Sequence, residues 1–340
     1  MDLVREIWMN RNALDNGGYF MMNDTESRVP RIDLHCHLDG SLSQGCIEEL
    51  LGRTVRKEEL RVAPDCRDLA GYLEKFDLPL QCLQTPAGLK RAGYDFMKTA
   101  ADDKLRYVEV RFAPLLSCNN GMKTEEVIES VLEGMKLGRE ESGIEYGVIV
   151  CAMRHHSEEE NLVMIKAARE FLGYGVCAAD LAGNEAAFPM SGFRNLFCEV
   201  KKMGMPFTIH AGECGSVENI LDAVECGAQR IGHGIAMRGN REAMEICRRK
   251  HIGIEMCPIS NLQTKAVKNM AEYPIREFLE QGLCVTINTD NRTVSGTSME
   301  KEIAFVRENY GITEEEIIRM MRNAVDTAFA SDQVKERIKF

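Results

Sequence analysis

The chain of 340 residues has only seven histidines, His35, His37, His155, His156, His210, His233 and His251. Two of them stand in the spacing His35-Cys36-His37 at the end of an apolar run. On a strand, side chains at i and i+2 point to the same side, so both imidazoles can reach one point in space. A third imidazole and a carboxylate from other strands would complete a mononuclear metal site. His210, in His210-Ala211-Gly212-Glu213, His233, between Gly232 and Gly234, and Asp290, in Asn288-Thr289-Asp290-Asn291, are candidates. Nitrogen and oxygen donors of this kind suit Zn²⁺, and ligand type alone also admits Fe²⁺, Co²⁺ or Mn²⁺. Each residue has an ordinary alternative. His233 could be a hydrogen-bonded core histidine, Asp290 a helix N-cap and Glu213 a solvated acid in a first turn. Their joint arrival at the ends of apolar runs is what favours a site. His155, His156 and His251 take the ordinary reading.

The segments that must position these groups are short and β-like. They are Arg31–His35, Tyr107–Phe112, Tyr146–Cys151, Val176–Leu181, Pro206–His210, Arg230–His233, Gly253–Met256 and Cys284–Asn288. Few alternate with polar residues, as expected of parallel strands covered on both faces. Helical stretches lie between them, at Thr124–Glu140, Glu158–Leu172 and Asn240–Lys250. The alternation predicts an α/β fold, and eight runs fit a (β/α)8 TIM barrel; an open doubly wound sheet fits the same alternation. In a barrel, catalytic groups gather at the C-terminal ends of the strands, where all these candidates fall. Residues 1–30 are polar and read as a loose lead-in. Residues 31–340 read as a single domain.

A long helical insertion of about 70 residues follows the first run, and connections of that length tend to be functional. Within it Leu69, Tyr72, Leu73 and Phe76 fall at i, i+3, i+4 and i+7, one face of a helix. That stripe either docks the helix on the core or forms an apolar gate over a pocket.

The formal net charge of −11 disfavours a nucleic-acid partner and does not touch a small neutral one. Thirteen scattered cysteines with no C-x-x-C pair read as reduced thiols of a cytoplasmic protein. No apolar stretch suits a signal sequence or a membrane span. The P-C-x-x-C of cytidine-type zinc deaminases, the G-x-S-x-G nucleophile elbow and the G-x-x-x-x-G-K-[ST] phosphate loop are all absent.

Five motifs in order carry a resemblance: R-I-D-L-H-C-H-L-D-G-S (31–41), D-L-A-G-N-E (180–185), H-A-G-E (210–213), R-I-G-H-G (230–234) and T-I-N-T-D-N (286–291). From about residue 30 onward the chain resembles the adenosine deaminases. The resemblance implies a (β/α)8 barrel with one catalytic Zn²⁺ held by His35, His37, His210 and Asp290. It implies a purine nucleoside substrate that loses its 6-amino group to a metal-activated water. Glu213 would give a proton to purine N1, while His233 and Asp290 orient the water and take its proton. His37 would border the substrate, Asp39 would receive the ribose 5′-hydroxyl, and the Gly183 main chain would meet N3. Leu69, Tyr72, Leu73 and Phe76 would form the apolar gate. Asn291 departs from the family, where a second aspartate is frequent. An amide can donate directly to the acceptor N7, whereas a carboxylate there needs a shared proton. A deaminase acting on adenine or a modified nucleoside, a general metal-dependent amide hydrolase and a purine-binding protein without turnover are the rivals. Asp39, shorter than the Glu of relatives acting on adenine or larger nucleosides, favours adenosine. The absence of lysine at the end of the fourth run favours one metal over two. Oligomeric state is left open.

Overall fold

The eight apolar runs become eight strands in the computed structural model, which describes residues 29–340 except positions 64, 65, 67, 68 and 215, and only the main chain of Leu69 and Ala70. The lead-in expected at residues 1–30 therefore lies outside the described residues, apart from Val29 and Pro30. The strands are β1 (Arg31–His37), β2 (Leu105–Phe112), β3 (Glu145–Met153), β4 (Val176–Ala182), β5 (Thr208–Ala211), β6 (Arg230–His233), β7 (Gly253–Met256) and β8 (Cys284–Ile287). All pair in parallel with their sequence neighbours, in the arcs β1-β2-β3-β4 and β5-β6-β7-β8. Two bridges join the arcs. Ala179 N–H donates to Pro206 O at 2.9 Å, the proline carbonyl serving where its nitrogen has no hydrogen to give. On the other side His37 N–H donates to Asp290 O at 2.6 Å, and Asp290 N–H donates to His35 O at 2.8 Å. The ring is closed, which excludes the doubly wound sheet, and the fold is a TIM barrel.

Helices cover the strands. The helix Glu158–Arg169 starts at a capping box in which Ser157 and Glu160 satisfy each other's main-chain N–H. The helix Thr124–Ser142 ends on Gly143 at φ 74, a left-handed cap that suits glycine. Between β1 and β2 lie the helices Gln44–Leu51, Lys57–Leu60, Leu69–Leu73, Asp77–Cys82 and Pro86–Asp102. Pro86–Asp102 lies flush against Thr124–Ser142, because a Cβ on Gly134 would sit 2.0 Å from Lys90 O. Among the described residues no helix is long and apolar enough to cross a membrane, and all thirteen cysteines are free.

The barrel interior is not purely apolar. Glu109 and Arg111 of β2, Asp180 of β4, Arg230 of β6 and Glu255 of β7 are all fully buried. Arg111 reaches Asp180 at 3.0 Å and Glu255 at 2.9 Å. Arg230 reaches Glu255 and Glu109, each at 2.6 Å. Burial opposes the charge of Glu255, but Arg111 and Arg230 outweigh it and hold its carboxyl well below the usual range. Breaking such a network from one side leaves buried charge without a counterion. Glu255→Ala is expected to destabilise the fold by about 3–5 kcal/mol, read from urea unfolding; a loss below about 1 kcal/mol would mean the network is dispensable.

Candidate metal and catalytic site

The ends of β1, β5, β6 and β8 bring His35, His37, His210, His233 and Asp290 together on the C-terminal face. His37 Nε2 and His210 Nε2 stand 3.2 Å apart. Asp290 Oδ1 is 3.4 Å from His35 Nε2 and 3.6 Å from His37 Nε2. One donor atom from each of His35, His37 and Asp290 lies within 4.8 Å of the others, as does one from each of His35, His210 and His233.

The surroundings decide which nitrogen of each ring faces inward. His35 Nδ1 donates to Glu255 at 2.8 Å, since a carboxylate can only accept. Its Nε2 is then a bare lone pair, buried and without a hydrogen-bond partner. His210 Nδ1 lies 2.8 Å from Asp180 Oδ2, while Arg154 donates to the His210 carbonyl at 2.7 Å. Burial lowers the pKa of His37, so this imidazole is neutral at neutral pH, the form that binds metals. Convergent lone pairs, a nearby carboxylate and carboxylate-backed imidazoles fit a divalent metal ion. Cys257 also lies within 4.8 Å of His233 and Asp290, but burial pushes its thiol far above the ordinary value, away from the thiolate a metal takes.

Glu213 stands beside this cluster. Its Oε1 accepts from Thr264 Oγ1 at 3.0 Å, and its Oε2 is 3.7 Å from His233 Nε2. His233 Nδ1 is 3.0 Å from Asn261 Nδ2, and Ser260 Oγ donates to Asp290 Oδ2. Ser260, Asn261 and Thr264 all belong to the short helix Pro258–Gln263 or to the residue capping it. His233 and Asp290 have φ of 66 and 59, left-handed values rare outside glycine.

The residues expected to meet substrate differ in their surroundings. Asp39 is buried with Oδ1 unpartnered, and burial pushes its carboxyl up to about 7. Asn291 is buried with Oδ1 unpartnered; a Cβ on Gly40 would come 1.9 Å from that atom, so only glycine leaves room for it. Gly183 has φ 105. Tyr72 is buried, with its hydroxyl 2.6 Å from Ser295 Oγ, and it packs with Val62, Val294 and Phe76.

Side chains are described for three of the four stripe residues, Tyr72, Leu73 and Phe76. The helix that contains Tyr72 ends at Leu73, and a 3₁₀ turn, Glu74–Phe76, follows. Phe76 lies near Tyr72, at 6.2 Å between ring centres, while Leu73 is 41% exposed. The side chain of Leu69 lies outside the described residues.

Several residues of consequence were not given a role from the sequence: Glu109, Arg111, Asp180, Glu185, Arg230, Glu255, Ser260, Asn261, Thr264 and Glu302. Charged residues inside apolar strands, as in R-Y-V-E-V-R-F and G-I-E-M, were the available signal.

A closed parallel barrel with imidazole and carboxylate donors at its C-terminal face defines a metal-dependent hydrolase. Residues 30–339 match the adenosine deaminase family, to which this chain belongs. It is 41% identical over 323 residues to the adenosine deaminase of Enterococcus faecalis, covering 92% of this chain and 96% of that one. Its fold is similar to that of adenine deaminase from Arthrobacter aurescens, with a TM-score of 0.82 and 23% identity over 91% of this chain and 97% of the other. An amidohydrolase from Burkholderia ambifaria with bound Zn has a TM-score of 0.81 at 20% identity, covering 95% of this chain and 92% of that one.

Asp180→Asn removes the carboxylate that backs His210 and leaves its volume. Divalent-metal affinity is expected to fall about 10–100-fold, measured by competition with a chelator; an unchanged affinity would refute the role of Asp180. Glu302 yields a pH test. It is buried, accepts from Ile259 N–H at 3.1 Å and Thr297 Oγ1 at 2.7 Å, and so pins the start of the Pro258–Gln263 helix. Burial pushes its carboxyl from 4.5 up to about 8. The native state therefore holds a proton that the unfolded chain has released, and the contribution to stability is lost as pH rises between these values. Relative to Glu302→Gln, the unsubstituted protein should lose stability from pH 4.5 to 8 in parallel thermal melts, and a pH-independent difference would contradict this assignment.

Proposed function

We infer that this protein hydrolyses adenosine, and 2′-deoxyadenosine, to inosine or 2′-deoxyinosine and ammonia. The observation that carries the reading is the match, along nearly its whole length, to an adenosine deaminase at 41% identity. Zn²⁺, one per chain, is the proposed metal, with His35, His37, His210 and Asp290 as its ligands. The ion supplies a nucleophilic water at neutral pH.

Every other step falls to the side chains. Asp290 and His233 orient the attacking water and accept its proton as the new bond to C6 forms. Attack on an aromatic ring needs a proton at N1 at the same moment, and Glu213 gives it. Thr264 already donates to Oε1 of Glu213, which leaves Oε2 to carry that proton. The proton held by Asp290 and His233 then passes to the 6-amino group, the C6–N bond breaks and ammonia leaves, and the hydroxyl proton lost as the C6 carbonyl forms restores Glu213 to its acid form. The Gly183 main-chain N–H donates to N3, Asn291 Nδ2 donates to N7, and Asp39 accepts from the 5′-hydroxyl. His37 borders the substrate, and Tyr72 and Phe76 give the pocket an apolar wall. Residues 31–340 act as one catalytic domain, and the partner is a small nucleoside.

Glu213→Gln should lower kcat by about 10²–10⁴ and leave metal content unchanged. Full activity in that variant would rule Glu213 out as the acid. Ammonia release from adenosine and from adenine by zinc-loaded protein, measured side by side, should favour adenosine. Release mainly from adenine would keep the chemistry and reject the role of Asp39. Bound zinc with no turnover of any purine would leave a binding protein.

A further inference from the structure

Glu185 has an unusual set of partners. The residue is 3% exposed, and its carboxylate takes four hydrogen bonds. Oε1 accepts from Gly212 N–H at 2.6 Å and from Asn219 Nδ2 at 2.7 Å. Oε2 accepts from Glu213 N–H at 3.0 Å and Cys214 N–H at 3.2 Å. Three consecutive main-chain donors thus turn toward one anion, a concave arrangement that suits negative charge. The donors belong to the turn that leaves β5 and carries Glu213, and Gly212 enters it at φ 76. The acceptor belongs to the loop that leaves β4, two residues beyond Gly183. Asn219 extends the link, its Oδ1 accepting from Met190 N–H at 2.8 Å.

We propose that Glu185 is a positioning residue for proton delivery: it fixes the Gly212–Cys214 turn so that the Glu213 carboxyl reaches purine N1 while Gly183 meets N3. This rests on the deaminase reading of the site. Thr264 holds only the tip of the Glu213 side chain. A tip contact cannot set where the main chain starts, and a turn opening on a left-handed glycine has other conformations open to it. Glu185 removes that freedom and ties the N1 side of the pocket to the N3 side through one carboxylate. The distance between the two ring contacts then stays constant as substrate enters.

The test is a double-substitution cycle on the zinc-loaded protein. Glu185→Gln puts an amide NH₂ against N–H donors, which cannot pair. It should lower kcat on adenosine roughly 10–100-fold with metal content unchanged, the scale expected of a displaced catalytic group. If Glu185 acts through Glu213, the combined E185Q/E213Q protein should be no slower than E213Q alone. Losses that multiply would overturn the proposal, as would a lowered melting temperature with kcat intact. Glu185→Asp keeps the charge one methylene short; it should give an intermediate loss with the same non-additivity, and it reads the cycle if E185Q fails to fold. Turnover with unaffected variants removes this proposal alone, whereas no adenosine turnover by the unsubstituted protein removes the deaminase reading and the proposal with it.

Discussion

The buried ionic lattice across the barrel interior is the constraint on which the remaining structure depends. Arg111 joins Asp180 to Glu255, and Arg230 joins Glu255 to Glu109. Charges this deep are expensive to desolvate and are tolerable only when paired and hydrogen-bonded. The same carboxylates turn outward to the imidazoles: Glu255 to His35 and Asp180 to His210. Strand register and ring orientation are thus one problem. Two arginines face three carboxylates, and Asp290 stands across the His35 ring from Glu255, so carboxylates outnumber guanidinium groups around the histidine cluster. A divalent cation among those histidines would offset the difference, which makes the lattice part of the site's affinity as well as of the fold.

Strands fix the histidines, and a second layer fixes the groups that move protons. The short helix after β7, with the residue that caps it, touches Asp290 through Ser260, His233 through Asn261 and Glu213 through Thr264. Glu302 pins the start of that helix from beneath. His233 and Asp290 both hold left-handed main-chain conformations, each worth of order 1–3 kcal/mol of strain, which persist only where the surroundings over-determine them. The Pro258–Gln263 helix supplies part of that over-determination, through Asn261 on His233 and Ser260 on Asp290.

The strands and the histidine cluster were legible because they depend on local pattern. Apolar runs mark parallel strands whatever they pair with, and the ends of four of them carried the residues that meet. β1 runs two residues further than its apolar pattern, to His37, where it pairs both with β2 and with the segment after β8. That pairing is long-range and leaves no trace in the run itself. The carboxylates behind the histidines were equally out of reach: Asp180 and His210 are thirty positions apart, and nothing in their spacing announces contact.

Asp39 bears on selectivity through a buried, unpartnered oxygen, and Asn291 through the amide it can donate. Leaving a buried acceptor unpaired costs about 1–3 kcal/mol, and burial already drives Asp39 toward its protonated form, to about 7. On the proposed reading the 5′-hydroxyl of the nucleoside relieves that penalty, whereas free adenine has no hydroxyl to offer. A site built to hydrogen-bond a substrate hydroxyl can reject an analogue lacking it by as much as ~10⁴–10⁵, far more than an apolar pocket achieves through shape. Asn291 is held in place by the missing side chain of Gly40. An amide can give N7 a hydrogen at any pH, where an aspartate must first acquire one. Discrimination at the ribose end and recognition at N7 therefore rest on different physics, a titratable acceptor at one and a permanent donor at the other. The two ends of the nucleoside should respond to pH independently.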